Sequence, residues 1–74
     1  MANATVTAYV ERDPATGLYV ATVPGVRGAH TQAESLDELQ RNLAEVLQLC
    51  ADEGWLTAET LPRFAGVQQV DVSV

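Results

Sequence analysis

Lysine is absent from this chain of 74 residues, and most residue types that commit a protein to chemistry are scarce. Its basic residues are four arginines, set against ten carboxylates for a net charge of −6. A surface this acidic repels phosphate backbones, so nucleic-acid binding by the chain alone is not expected. A basic partner suits it better, although negative charge also serves plain solubility. One cysteine excludes an internal disulfide framework. One histidine leaves no second histidine or cysteine at ligand spacing for a metal. No apolar run approaches the ~20 residues of a membrane span, and nothing at the start reads as a signal peptide. A reducing cytoplasm is the expected location. The chain is read as one small domain over residues 1–74, which is marginally stable unless it associates.

What is present is ordered punctuation. Val6, Ala8 and Val10 alternate with polar or exposed positions, the period of a half-buried strand. Asp13-Pro14-Ala15-Thr16-Gly17 supplies turn chemistry, and Leu18–Val23 is rich in β-branched and aromatic residues, so it reads as the returning strand of a hairpin. Pro24-Gly25 breaks that strand, and Gly28 permits a second bend before a short strand at Ala29–Gln32. Ser35-Leu36-Asp37-Glu38 has the form of a capping box opening a helix. Leu36, Leu39, Leu43, Val46, Leu47 and Cys50 then form one apolar stripe, with Gly54 as a stop, so the helix is predicted over Leu36–Asp52. After a connection containing Pro62, Phe64–Val74 reads as a last strand. Val70, Val72 and Val74 keep its period of two, and Gln68-Gln69 interrupts it as a bulge or late start. The predicted fold is α+β, in the order β-β-β-α-β, with a small antiparallel sheet and one helix on one face.

The stretch from Tyr9 to Leu39 resembles the HicB-type antitoxins of bacterial toxin–antitoxin pairs. Members of that family typically show an aromatic first strand, an acidic Pro/Gly hairpin turn, an aromatic second strand, V-P-x-x-x-G, a C/H-x-T-Q stretch and S-x-x-E at the start of one helix. Here these are Tyr9, Asp13 to Gly17, Tyr19, Val23-Pro24 to Gly28, His30-Thr31-Gln32 and Ser35 to Glu38. The likeness covers roughly residues 5 to 53, and it is the ordered set rather than any single piece that is specific. Two positions depart from it: Ala33 stands where the family often has glycine, and Glu38-Leu39 where it often has E-A. The resemblance implies a truncated ribonuclease-H-like sheet. Many family members add a helix-turn-helix or ribbon-helix-helix for operator DNA, and neither is expected to fit after the last strand, so no direct DNA binding is expected.

Candidate sites follow from both lines of argument. A metal-dependent nuclease would draw on Glu11, Asp13, Asp37 and Glu38. Turn chemistry already accounts for Asp13, and capping and the helix dipole for the Asp37–Glu38 pair. No catalytic residue, cofactor or metal is expected. His30 is expected as a partly buried strand residue rather than a base or ligand. Cys50, on the apolar stripe, should be a small buried hydrophobe. Trp55 and Leu56 either close the core or belong to an interface. Tyr9 and Tyr19 either pair across the hairpin or anchor a partner on the open face, where Thr5, Thr7, Tyr9 and Glu11 project if Val6, Ala8 and Val10 face the helix. With no lysine to blunt them, the sheet edges invite pairing into a homo-dimer or tetramer.

The resemblance implies a non-enzymatic antitoxin that covers a small basic HicA-like toxin, a ribonuclease that cleaves mRNA. Glu11, Asp13, Glu34 and Asp37 are the carboxylates expected to face it, with Tyr19 and the Pro24 to Gly28 loop adding shape. The alternative is a stand-alone oligomeric module that binds a small ligand or another protein, with no toxin partner.

Overall fold

The computed structural model describes residues 4–74. Three antiparallel strands precede one helix: β1 is Tyr9–Arg12, β2 is Tyr19–Thr22, β3 is His30–Ala33 and α1 is Leu36–Asp52. The sheet order is β1-β2-β3, so each strand pairs with its neighbour in sequence. Tyr9 faces Thr22 and Arg12 faces Tyr19 across the first pair, while Tyr19 faces Ala33 and Thr22 faces His30 across the second. This is the α+β class, and the β-β-β-α order, read from the sequence.

Side chains directly opposite one another in such a ladder share a face. Ala21, Val23, Ala29 and Ala33 are buried under α1 together with Leu39, Leu43 and Cys50. Val6, Ala8, Tyr19, Val46, Leu47, Leu56 and Leu61 pack partly buried around them. The sheet contributes mostly alanine, which lets the helix backbone approach closely. Among the described residues Leu39 is the largest side chain that is fully buried, at 2% exposure. Leu36, first in the predicted stripe, is exposed because it lies in the first turn, beyond the sheet's cover.

Both helix ends are closed by local bonds. Ser35 is the N-cap in extended backbone, and its Oγ accepts from the Glu38 N–H at 3.2 Å. At the other end Gly54 N–H donates to Ala51 O at 3.1 Å and Trp55 N–H to Cys50 O at 2.8 Å, a Schellman closure around the predicted glycine. Substituting Ser35→Ala should cost about 1 kcal/mol, the usual worth of such a cap. Urea unfolding checks this, and an unchanged midpoint would show that water replaces the hydroxyl at no loss.

The last predicted strand does not form within the chain. Residues 65–74 are neither strand nor helix, and Val67, Val70 and Val72 are 70–78% exposed. A strand exists only where a neighbouring backbone supplies its ladder, and this segment leads away from its own sheet. The radius of gyration is 13.9 Å, with extents of 46 × 26 × 17 Å. A compact chain of this length would measure roughly 11 Å.

Candidate functional site

The acidic residues gather at one end of the sheet because the hairpin turn and the helix start meet there. Arg12, Tyr19 and Ala33 form a row across all three strands. Asp13 and Glu34 continue the chain just beyond that row, and Asp37 lies in the first turn of α1. Glu11 sits one residue inside, opposite Val20, on the face that the helix does not cover. Glu11, Glu34 and Asp37 are exposed.

Asp13 is already engaged. Its carboxylate accepts from the Ala15 N–H at 3.1 Å and the Thr16 hydroxyl at 3.0 Å. Its backbone closes the turn through Asp13 N–H to Leu18 O at 2.8 Å and Gly17 N–H to Asp13 O at 2.7 Å. The residue is first a turn builder, and only its outer lone pairs are free for a partner. Tyr19 is half-buried on the helix side, with the Arg12 guanidinium 5.6 Å from its ring centroid. That contact holds a cation beside an otherwise acidic rim.

Pro24 and Gly28 belong elsewhere. They lie in the β2–β3 loop at the opposite end of the sheet, where Pro24 is five residues along the chain from Tyr19, or roughly 17 Å at the rise of a strand. Tyr19 and the four carboxylates therefore share one end, and the loop shapes another. The register also corrects the tyrosine pairing: Tyr9 opposes Thr22 while Tyr19 opposes Arg12, which puts the two rings on opposite faces. The Tyr9 partner is Phe64, with ring centroids 6.2 Å apart. No periodicity announces that contact, because Phe64 follows an irregular connection. Beneath it Pro62 seats against Gly25, and Thr5, Val6, Tyr9, Val23 and Leu61 line a small hollow alongside.

Three curated relatives align with most of this chain. UPF0150 protein ssr1258 of Synechocystis is 38% identical over 63 residues, covering 85% of this chain and 87% of its own length. A UPF0150 protein of Thermotoga maritima is 41% identical over 66 residues, 89% of this chain and 87% of its own. One from Archaeoglobus fulgidus is 40% identical over 63 residues, with 85% and 87% coverage. This chain belongs to the UPF0150 family. No protein-family model and no solved structure matches it.

In this UPF0150 protein the remaining candidates fall as follows. His30 is exposed at the start of β3, beside Thr22 on the uncovered face, and not partly buried as expected. Full burial in this sheet is confined to the helix face, and His30 alternates away from it. Cys50 is 3% exposed, and its Sγ lies 3.6 Å from Arg27 O, so it behaves as a buried hydrophobe with a weak donor. Trp55 is 52% exposed, whereas Leu56 is half-buried against the core. Among the described residues no three His, Cys, Asp or Glu side chains are grouped to hold a metal, and no helix is long and apolar enough to cross a membrane.

Proposed function

We propose that this UPF0150 protein is the antitoxin of a type II toxin–antitoxin pair, acting in the cytoplasm. It binds a small basic HicA-like toxin and masks the surface that grips and cleaves mRNA. It is not itself an enzyme, and it works as a homo-dimer or tetramer. The reading is supported by the likeness of Tyr9 to Leu39 to the HicB-type antitoxins. The observation that carries it is the acidic end of the sheet: Glu11, Glu34 and Asp37 stand exposed at the end where Tyr19 begins β2, on a chain of net charge −6. Opposed charge steers encounter and sets register between partners, which is what occluding an RNA-binding surface requires.

The tagged chain should recover from native extract a small basic protein in near-equal amount. That protein should cleave RNA, and adding the chain back should stop the cleavage. Reversing Glu11, Glu34 and Asp37 to lysine should weaken the complex by about a hundredfold, at roughly a tenfold loss per 1.4 kcal/mol. The salt dependence of binding should flatten as well. Asp13 is left intact because its carboxylate builds the hairpin turn. Recovery of the chain's own copies alone, or a complex indifferent to the triple reversal, sinks the reading.

A further inference from the structure

One chain carries both halves of an unmade strand pairing. The first half is the segment Val67–Val74. Its backbone enters no backbone–backbone hydrogen bond among the described residues. Val70, Val72 and Val74 alternate with Gln69, Asp71 and Ser73, giving one apolar and one polar face. Unpaired backbone on an extended, valine-rich segment is a strand without its neighbour.

The second half is the outer side of β1. β2 is the central strand, so among the described residues β1 and β3 carry the free edges. On β3 the Asn42 side-chain amide, from α1, donates to Gln32 O at 3.4 Å, so one backbone carbonyl of that strand is already engaged. The Leu61–Phe64 connection lies against Thr5, Val6, Thr7 and Tyr9, but no hydrogen bond covers the outer edge of β1 among the described residues. Beside it, on the helix side, Val6, Ala44, Leu47, Ala51 and Leu56 line an open cleft between the approach to β1 and the helix. Val10, on the same side of β1, is 45% exposed. The helix shields the β2–β3 half of its face and leaves the β1 half short of apolar cover.

We propose that Val67–Val74 of one chain pairs with the outer edge of β1 in a second copy. Its valine face continues the apolar face of that copy's sheet into the cleft, and its polar face lies beside Thr7, Tyr9 and Glu11. The segment matches Thr5–Arg12 in length. A second copy, rather than a different protein, is the occupant because ligand and receiver are on the same chain. A two-fold axis then fills both edges and both clefts at once. The segment carries a single charged side chain, Asp71, so it approaches an acidic copy with little repulsion. Its own β1 is not the receiver in this geometry, because the segment leaves Phe64 outward and its valines stay exposed.

This rests on the oligomer named in the proposed function, not on the toxin, and its test needs no toxin. Sedimentation of the full chain should give twice the 7.9 kDa chain mass. The variant V70D/V72D should sediment as a monomer while its far-UV circular dichroism keeps the helix. The position of the segment is read separately. A nitroxide is placed on Val74→Cys, which the buried Cys50 does not compete with, and that chain is mixed with an equal amount of nitrogen-15-labelled wild type. Amides within Thr5–Arg12 of the labelled copy should lose intensity, and recover it when the nitroxide is reduced. A dimer without that loss overturns the strand exchange and leaves the oligomer standing. A wild-type monomer overturns both. Should V70D/V72D fail to fold, the nitroxide experiment on the folded mixture still decides.

Discussion

Replacing Leu39 by alanine is expected to lower the unfolding free energy by about 3 kcal/mol, within the range for a buried Leu→Ala change. Among the described residues Leu39 is the largest fully buried side chain, in a core to which the sheet side contributes Ala21, Ala29 and Ala33. Alanines have no side-chain atoms to swing into the space a lost isobutyl group leaves, so the cavity persists and its cost is added to the lost transfer energy. A chain of this size holds roughly 4–11 kcal/mol in total, so the substitution removes a large share of it. Leu49→Ala is the matched control. It lies on the same helix but is 64% exposed, and it should change stability by less than about 0.5 kcal/mol. Urea unfolding at one fixed chain concentration compares the two, since association would make midpoints concentration-dependent. Equal midpoints for both variants would mean that the helix is not seated on Leu39.

Why Leu39 was legible and Phe64 was not comes down to repetition. The helix stripe repeats over several turns, and Ser35 and Gly54 mark its limits with side-chain and backbone chemistry. Sequence and structure therefore agree on Leu36–Asp52. The first three strands were legible for the same reason, each bracketed by Pro, Gly or Asp, and they shift by only a few residues: β1 begins at Tyr9 rather than near Val6. The valine alternation near Val74 is as clear as any of these. A period of two reports that a segment suits a strand, however, and not which backbone supplies the ladder. The tyrosine pairing failed on register, which depends on turn length and changes face with a one-residue slip. At the candidate site, the acidic residues were visible individually. Only the register showed that Glu11, Asp13, Glu34 and Asp37 share one end with Tyr19, while Pro24 and Gly28 shape the other.

Gly25→Ala should cost about 2–3 kcal/mol and displace the segment leading to Phe64. Two separate physical terms add here. Gly25 has φ +80°, where a side chain costs roughly 1–2 kcal/mol. In addition, a Cβ at this position would lie 2.6 Å from Pro62 Cγ and 2.8 Å from Pro62 Cδ. A proline ring cannot rotate aside as a lysine or methionine would. The loop or the Leu61–Phe64 connection must therefore move, loosening Leu61 from the core and the Phe64 ring from Tyr9. Two companions separate the terms. Gly17→Ala carries the same positive φ, at +74°, with nothing within 4 Å of the new Cβ, so it should lose only the conformational part. Gly25→Ala combined with Pro62→Ala should recover the steric part and keep the conformational one. The readouts are the urea midpoint and the Tyr9 and Phe64 ring proton shifts, which should move in Gly25→Ala and stay put in Gly17→Ala. Equal losses for Gly25→Ala and Gly17→Ala, with unmoved ring shifts, would show that Pro62 does not hold the connection against the loop. The Val67–Val74 segment leaves through that connection, so Gly25→Ala should also weaken self-association, whereas Gly17→Ala, at the far end of the sheet, should not.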